Sequence, residues 1–383
     1  MKRLQGEQER TALPARADGR NVDPALGTLS GEGAHQQVKR LAAEHPTPDT
    51  VAQLPSEFPA QPSPTYYDQP MLKAPVWTWA IPAYFYVGGL AGATSALGAA
   101  SALLAPGRHP DLLRASRWVG TAGDVVSAAL LIDDLGRPSR FLHMLRVFRV
   151  TSPMSVGTYV LSLSGACNTA SLVLGGRPGV AGRLGRYAEL GAGALGLALC
   201  TYTGVLIANT AVPVWQLGHR ELPVLFAGSA VSSAASLLQL FPLGEREQRL
   251  LHRYGVVGKA VELAAGHALE RSVKRAPQAA RSLKEGLSGA LWQASKVLTA
   301  ASLALSLLPG RHRPLQRRAA ALLGTAGALA LRFGLMKAGA RSTLNPRASF
   351  EPQRAGLGAA AVLGPTPDPQ GGKPFSFPLP VVS

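Results

Sequence analysis

The stretch that decides the fold is WTWAIPAYFYVGGLAGATSALGAASALLA, residues 77–105. It has no charged residue over 29 positions, whereas a helix needs only about 20 apolar residues to cross the hydrocarbon core of a bilayer. Its aromatic residues cluster at the start: Trp77, Trp79, Tyr84 and Tyr86. Aromatic rings gather in this way at the boundary between lipid and water. The stretch therefore predicts a membrane-spanning helix.

Seven further apolar blocks follow at short intervals. Four of them carry at most one charged residue: 118–132, 156–174, 190–217 and 222–243. Three weaker blocks carry charges within them: 254–269 with Lys259 and Glu262, 286–308 with Lys296, and 319–336 with Arg332. A charge in lipid is costly, so each of these should face a bundle interior, a partner or an interface. The pattern predicts an all-α, polytopic integral membrane protein with about eight transmembrane helices.

The charge distribution supports a membrane protein. Only 16% of the residues are charged, against roughly 25% in an ordinary globular domain. The net charge is +17, yet residues 1–64 carry −1, so the basic excess lies among the apolar blocks. Short Lys/Arg clusters between uncharged runs are typical of loops at a lipid headgroup surface. A nucleic-acid binder would instead concentrate them on one folded face, so we expect lipid contact and no nucleic-acid partner.

The chain divides into three parts by composition. Residues 1–70 are rich in Pro, Gln, Glu, Ala and Gly without a periodic apolar face, which predicts a disordered N-terminal tail rather than a cleaved signal peptide. Residues 71–341 form the predicted transmembrane domain, and residues 342–383 return to a Pro/Gly-rich coil. The Lys/Arg counts of alternate connections differ too little to set the orientation.

Motifs for redox cofactors are weak in this chain. Gly191-Ala-Gly-Ala-Leu-Gly196 matches a dinucleotide fingerprint by letters, but it lies inside an apolar run, where helix packing is the better interpretation. The two cysteines, Cys167 and Cys200, are too few for an iron–sulfur cluster. The eight histidines lie in tails, connections or helix ends, so no pair could clamp a haem between two spans. We therefore expect no haem, iron–sulfur cluster or other metal site.

The most informative stretch is LLIDDLGRPSRFLHMLRVFRVTSPMSVGTY, residues 130–159. An acidic pair, Asp133 and Asp134, is followed by a turn, a basic and aromatic segment, and helix-start chemistry at Pro153 and Ser155. One interpretation is a solvated loop beside the membrane. The other is a docking surface or a proton-handling site, because carboxylates, arginines and a histidine stand close together.

This stretch resembles the signature of the NrfD/polysulfide-reductase membrane-subunit family, through DLGRPSRFLHMLRVFRVTSPMSVG at 134–157. Two other stretches agree: WAIPAYFYVGGLAGA at 79–93 and YTGVLIANTAVPVW at 202–215. The resemblance covers about residues 66–340. It implies two four-helix bundles in a bacterial cytoplasmic membrane, with both termini periplasmic.

The resemblance also implies a function. The chain would exchange electrons between the quinone pool, menaquinone or ubiquinone, and a ferredoxin-like iron–sulfur subunit that is wired to a molybdopterin catalytic subunit. It would be the quinone-reactive subunit of a respiratory oxidoreductase and not catalytic alone. The alternatives are a secondary transporter or channel, which the buried charges would also suit, and a purely structural anchor.

The resemblance places the quinone among the first four spans. Tyr84, Tyr202 and His143 are the candidate quinone-binding residues, and Asp124 and Asp134 are the candidate proton-transfer residues. Some relatives have a histidine where this chain has Tyr84, which leaves open whether that tyrosine transfers a proton, since a phenol has a pKa of about 10 and an imidazole about 6.5. Both tyrosines could instead be interfacial residues, and Asp124 could be a structural partner of a buried Arg or Ser.

The connection at 133–154 is the candidate docking surface for the iron–sulfur subunit. It holds four arginines: Arg137, Arg140, Arg146 and Arg149. Four are more than a single connection needs to anchor itself among lipid headgroups.

Overall fold

The computed structural model describes residues 21–23, 28–30, 70–309, 314–355 and 357. The chain divides into two units, residues 1–64 and 65–383. In the first unit, β1 (Asn21–Asp23) and β2 (Thr28–Ser30) form an antiparallel pair in which Asn21 faces Ser30. The remainder of the tail predicted over residues 1–70 lies outside the described residues, apart from residue 70.

The described part of the second unit is all-helical. Eight long helices are α1 (Ala80–Leu104), α2 (Pro110–Asp134), α4 (Pro153–Leu174), α5 (Gly179–Ala208), α7 (Glu221–Leu238), α8 (Glu245–Lys274), α10 (Gly286–Leu307) and α11 (Pro314–Thr343). Four short helices lie between or after them: α3 (Ser139–Met144), α6 (Pro213–Leu217), α9 (Pro277–Arg281) and α12 (Pro346–Arg354).

The long helices pack in two groups of four. In the first group α1 packs on α2 and α5, and α4 packs on α2 and α5. In the second group α7 packs on α8 and α11, and α10 packs on the same two helices. Helix α7 joins the groups by packing on α1 and α5. Neighbouring helices with short connections run antiparallel, so α1, α4, α7 and α10 begin at one end of the bundle, which we call the α1 face.

Glycines let the helices of the first group approach closely. A Cβ on Gly92 of α1 would lie 2.5 Å from the carbonyl oxygen of Gly196 on α5, and a Cβ on Gly196 would overlap the backbone of Gly92. Small residues allow such backbone contact between helices in lipid. The fingerprint-like run at residues 191–196 therefore serves helix packing, as predicted.

Four helices in the described part are long and apolar enough to cross a membrane: α1, α5, α7 and α11. The other long helices carry more polar or charged residues. The prediction for residues 118–132 began too late because Arg114 and Arg117 interrupt the apolar pattern. Helix α2 nevertheless starts at Pro110, and Arg117 forms an ion pair with Glu189 of α5 at 2.7 Å.

Two further predicted boundaries were wrong. The block at 190–217 is not one span, because α5 ends at Ala208 and α6 begins at Pro213. Val212 has the extended conformation that the residue before a proline favours, and this separates the two helices. The coil predicted from residue 342 begins later, since α11 continues to Thr343 and α12 follows it, capped by Asn345.

Candidate functional site

Asp124 lies at the centre of a buried polar cluster in the first helix group. It is only 3% exposed on α2, and its Oδ2 accepts hydrogen bonds from Ser164 Oγ and Asn168 Nδ2 of α4, both at 2.8 Å. Ser95 of α1 donates to Asn168 Oδ1 at 2.9 Å. The other carboxylate oxygen of Asp124, Oδ1, is buried without a hydrogen-bond partner among the described residues. One side of the carboxylate is therefore held, while the other is available to a ligand or a water molecule.

Tyr84 lies beside this cluster and is 3% exposed on α1. Its ring and Ser127 of α2 meet over Gly88, where a Cβ would lie 3.4 Å from Tyr84 Cε2 and 3.3 Å from Ser127 Oγ. Ser127 Oγ also has no hydrogen-bond partner in the described part of the chain. The Tyr84 hydroxyl interacts electrostatically with Asp124 and with Tyr202. The two tyrosines and the carboxylate thus belong to one cluster, which we call the Tyr84–Asp124 cluster.

Tyr202 connects the cluster to the start of α4. Its hydroxyl donates a hydrogen bond to the carbonyl oxygen of Pro153, the first residue of α4. Its ring lies directly against Gly157, where any Cβ would overlap it. The SPMSVG run therefore has two roles. It begins α4 with a cap from Ser152, whose Oγ accepts a hydrogen bond from Ser155 N, and its Gly157 leaves room for the Tyr202 ring.

Asp134 has a different setting from Asp124. It is half-buried at the end of α2, and its Oδ1 accepts from the backbone N of Thr78 at 2.9 Å and from Thr78 Oγ1 at 2.7 Å. Thr78 immediately precedes the first turn of α1. Asp134 thereby fastens the end of α2 to the beginning of α1, in addition to any role in proton transfer.

The connection after Asp134 is exposed at the α1 face. All four of its arginines are exposed, and Arg140 Nη1 donates to the Leu135 carbonyl at 3.2 Å. Apolar side chains are exposed beside them: Leu142, Val147, Phe148 and Val150. Tyr159 of α4 supports the segment by donating to Leu145 O at 2.7 Å. The combination of exposed arginines and apolar side chains is typical of a protein interface.

His143 does not join the Tyr84–Asp124 cluster in this structure. It is exposed on α3, and α3 buries none of its six residues. It shares the exposed surface of the connection with the arginines, and its assignment to quinone binding stays a prediction.

A second buried polar cluster lies in the other helix group. Lys259, Glu262 and Arg332 are each at most 3% exposed. Lys259 Nζ donates to Ser306 Oγ at 3.0 Å, and Glu262 Oε1 accepts from Thr299 Oγ1 at 3.0 Å.

Each charged group of this second cluster has its own partner. Lys259 and Glu262 do not form a contact ion pair with each other in the described part, although their charges interact. The Arg332 guanidinium lies 4.0 Å from the centroid of the Phe226 ring and donates to the Phe226 carbonyl at 3.2 Å. Three of the charges predicted within the weak apolar blocks thus face the bundle interior, as their cost in lipid requires. The fourth, Lys296, is half-buried and forms an ion pair with Glu270 at 2.6 Å.

Residues 65–346 match a protein-family model described as polysulfide reductase, of the NrfD type. The chain belongs to the NrfD polysulfide-reductase family. Together with the apolar helices, this membership identifies a multi-pass membrane protein. Members of the family are membrane subunits of polysulfide-reductase-like complexes. A search of curated proteins found no match.

Several residues around the Tyr84–Asp124 cluster were not predicted from the sequence. Ser127 follows Asp124 by three positions, which places both on one helix face, and Ser164 and Asn168 are four apart on α4. These spacings were a usable signal, but nothing in the sequence shows that the two faces meet. Among the described residues, no group of three or more His, Cys, Asp or Glu side chains could hold a metal ion.

Proposed function

We propose that this chain is the quinone-reactive membrane subunit of a respiratory oxidoreductase, exchanging electrons between the quinone pool and an iron–sulfur subunit. That subunit would in turn contact a molybdopterin catalytic subunit. The proposal includes eight spans in a bacterial cytoplasmic membrane with both termini periplasmic. It rests on the family membership and on one observation: a buried carboxylate, one oxygen of which has no partner among the described residues, interacts with Tyr84, which in turn interacts with Tyr202.

The Tyr84–Asp124 cluster has the groups that a quinone headgroup requires. A quinone accepts two electrons with two protons and its quinol releases them, so the two oxygens need hydrogen-bond partners and a proton route. Ser127 Oγ is buried without a hydrogen-bond partner among the described residues, and the Tyr84 hydroxyl forms no hydrogen bond there either. Each can donate one to a ligand. Asp124 Oδ1 can accept or deliver a proton while Oδ2 stays fixed by α4. Tyr202 would have to exchange its bond to Pro153 for one to the ligand.

The two tyrosines should respond differently to loss of the hydroxyl. Tyr84→Phe removes a hydroxyl that has no hydrogen-bond partner among the described residues, so quinone-linked turnover should fall by roughly tenfold to a hundredfold, the equivalent of about 1–3 kcal/mol, with unchanged stability. Tyr202→Phe should lower turnover and also destabilise the fold by about 1 kcal/mol, because it removes the bond to Pro153. Turnover by the assembled complex and thermal unfolding of the membrane subunit measure the two effects. Wild-type quinone kinetics in both variants would disprove this site.

Charge reversal in the exposed connection should release the iron–sulfur partner. Arg140→Glu/Arg146→Glu replaces two exposed positive charges by negative ones, which repel a surface that is complementary to the wild type. We expect loss of the partner on affinity purification while the membrane subunit still inserts. The matched control is Arg183→Glu/Arg186→Glu, which reverses two exposed arginines at the opposite end of the bundle. Normal recovery of the complex from the first variant would refute the assignment.

A secondary transporter or channel is the second candidate, and the buried Lys259, Glu262 and Arg332 are the observation that favours it. The two functions differ in what the chain needs. Purification under mild conditions should recover iron–sulfur and molybdenum-containing subunits if the chain is an electron-transfer subunit. An isolated chain that moves a solute across vesicles without quinone would support the transporter. Recovery of the partners without quinone reactivity would indicate a structural anchor.

A further inference from the structure

A cavity of about 180 Å³ opens between the last turns of α8, the short helix α9 and the first half of α10. Its apolar wall includes Val273, Ala280 and Leu283. Since a water molecule occupies about 30 Å³ in the liquid, the cavity has room for a group the size of a phosphate ester. It belongs to the second helix group and shares no lining residue with the Tyr84–Asp124 cluster.

Positive charge dominates the lining. Lys274, Lys284 and Lys296 face a single carboxylate, that of Glu270, so the cavity carries a formal charge of +2. Glu270 Oε1 already accepts from Lys296 Nζ at 2.6 Å and from Trp292 Nε1 at 2.7 Å. Lys274 and Lys284 are exposed and form no ion pair within 4.0 Å in the part of the chain that the structure describes. Two ammonium groups are thus left for an anion.

The cavity opens at the end of the helix bundle, where lipid headgroups would lie. It opens at the α1 face, where α8 ends at Lys274 and α10 begins at Gly286. Lys296 is the lining residue farthest from that face, about 15 Å along the axis of α10. Leu287 and Val297 of α10 are exposed, as side chains facing acyl chains would be. Lysines that only extend to the headgroup region need no cavity, whereas a cationic cavity with an apolar wall matches an anionic amphiphile.

We propose that this cavity binds the phosphate group of an anionic phospholipid. Lys274 and Lys284 contact the phosphate, the Glu270–Lys296–Trp292 arrangement forms the polar floor, and the apolar wall contacts the beginning of the acyl chains. The site is independent of the proposed electron transfer, since none of its residues belongs to the Tyr84–Asp124 cluster or to the 133–154 connection.

Titration of the purified full chain in detergent with phosphatidylglycerol, followed by native mass spectrometry and thermal unfolding, tests the proposal. The wild type should bind phosphatidylglycerol at least tenfold more tightly than phosphatidylcholine and unfold at a higher temperature with it. Lys274→Gln/Lys284→Gln should lose that preference. The matched control Arg183→Gln/Arg186→Gln, which removes two exposed arginines at the opposite end of the bundle, should keep it.

Two further measurements make the result decisive. Lys274→Arg/Lys284→Arg retains the charge and should restore the preference, which separates loss of binding from loss of folding. Inorganic phosphate should neither stabilise the chain nor displace the lipid at millimolar concentration. If phosphate alone does both, the site takes small anions and the lipid assignment is overturned. Equal binding of the two lipids by the wild type also overturns it.

Discussion

Asp124→Asn should lower quinone-linked turnover by on the order of a hundredfold while the protein stays folded, because proton transfer by a positioned side chain contributes about that much. Asparagine has the size of aspartate and can still accept hydrogen bonds from Ser164 and Asn168. The amide NH2 group that replaces Oδ1 cannot take up and release a proton, and Oδ1 is the atom without a partner in the described structure. Turnover measured across pH in the assembled complex gives the size of the effect.

A matched control lies on the same helix. Asp111→Asn changes an exposed carboxylate at the start of α2, where its contact with Arg114 at 3.8 Å is solvent-exposed and contributes little. We expect unchanged turnover and unchanged stability. If Asp124→Asn unfolds the protein, the carboxylate is structural. If it stays folded and keeps wild-type turnover, Asp124 does not transfer protons.

Gly157→Ala should produce the second large effect, on both structure and activity. A Cβ at this position overlaps the Tyr202 ring, so the ring has to move and its hydroxyl loses Pro153 O. Overpacking of this kind costs typically about 1–3 kcal/mol. We expect a lower unfolding temperature, and turnover reduced at least as far as in Tyr202→Phe.

Gly165→Ala on the same helix is the control for this substitution. Its Cβ would lie 3.7 Å from the Asp124 Cβ, which is an ordinary contact, so any loss of stability should be small. A double variant tests the mechanism further. Gly157→Ala combined with Tyr202→Ala removes the overlapping ring, so adding the alanine at 157 should cost much less there than in the wild-type background. Equal costs in both backgrounds would contradict the packing argument.

The helical architecture could be predicted from the sequence, because apolar length and the cost of charge in lipid act along one chain segment at a time. In the described part of the chain, eight long helices occur near the eight predicted blocks. One boundary was wrong because a charge is satisfied by a distant partner. The predicted block began at residue 118, directly after Arg117, yet the ion pair with Glu189, 72 residues away, stabilises Arg117 within α2.

The site was only partly predictable for a similar reason. Asp124 stood out as a charge within an apolar block, and Tyr84 and Tyr202 followed from the family resemblance. The partners that define their environment come from other helices: Asn168 for Asp124, Ser127 for Tyr84 and Pro153 for Tyr202. Such pairings depend on how the helices rotate against each other, which no local spacing determines.

The exposed connection is attached to the helix bundle at both of its ends. Asp134 holds one end to Thr78 at the start of α1, and Tyr202 holds Pro153 at the other. A ligand that draws the Tyr202 hydroxyl away from Pro153 weakens the second attachment. It thereby changes the free energy with which a partner protein binds to the connection. Linkage is reciprocal: whatever factor the ligand applies to the affinity for that protein, the protein applies to the affinity for the ligand.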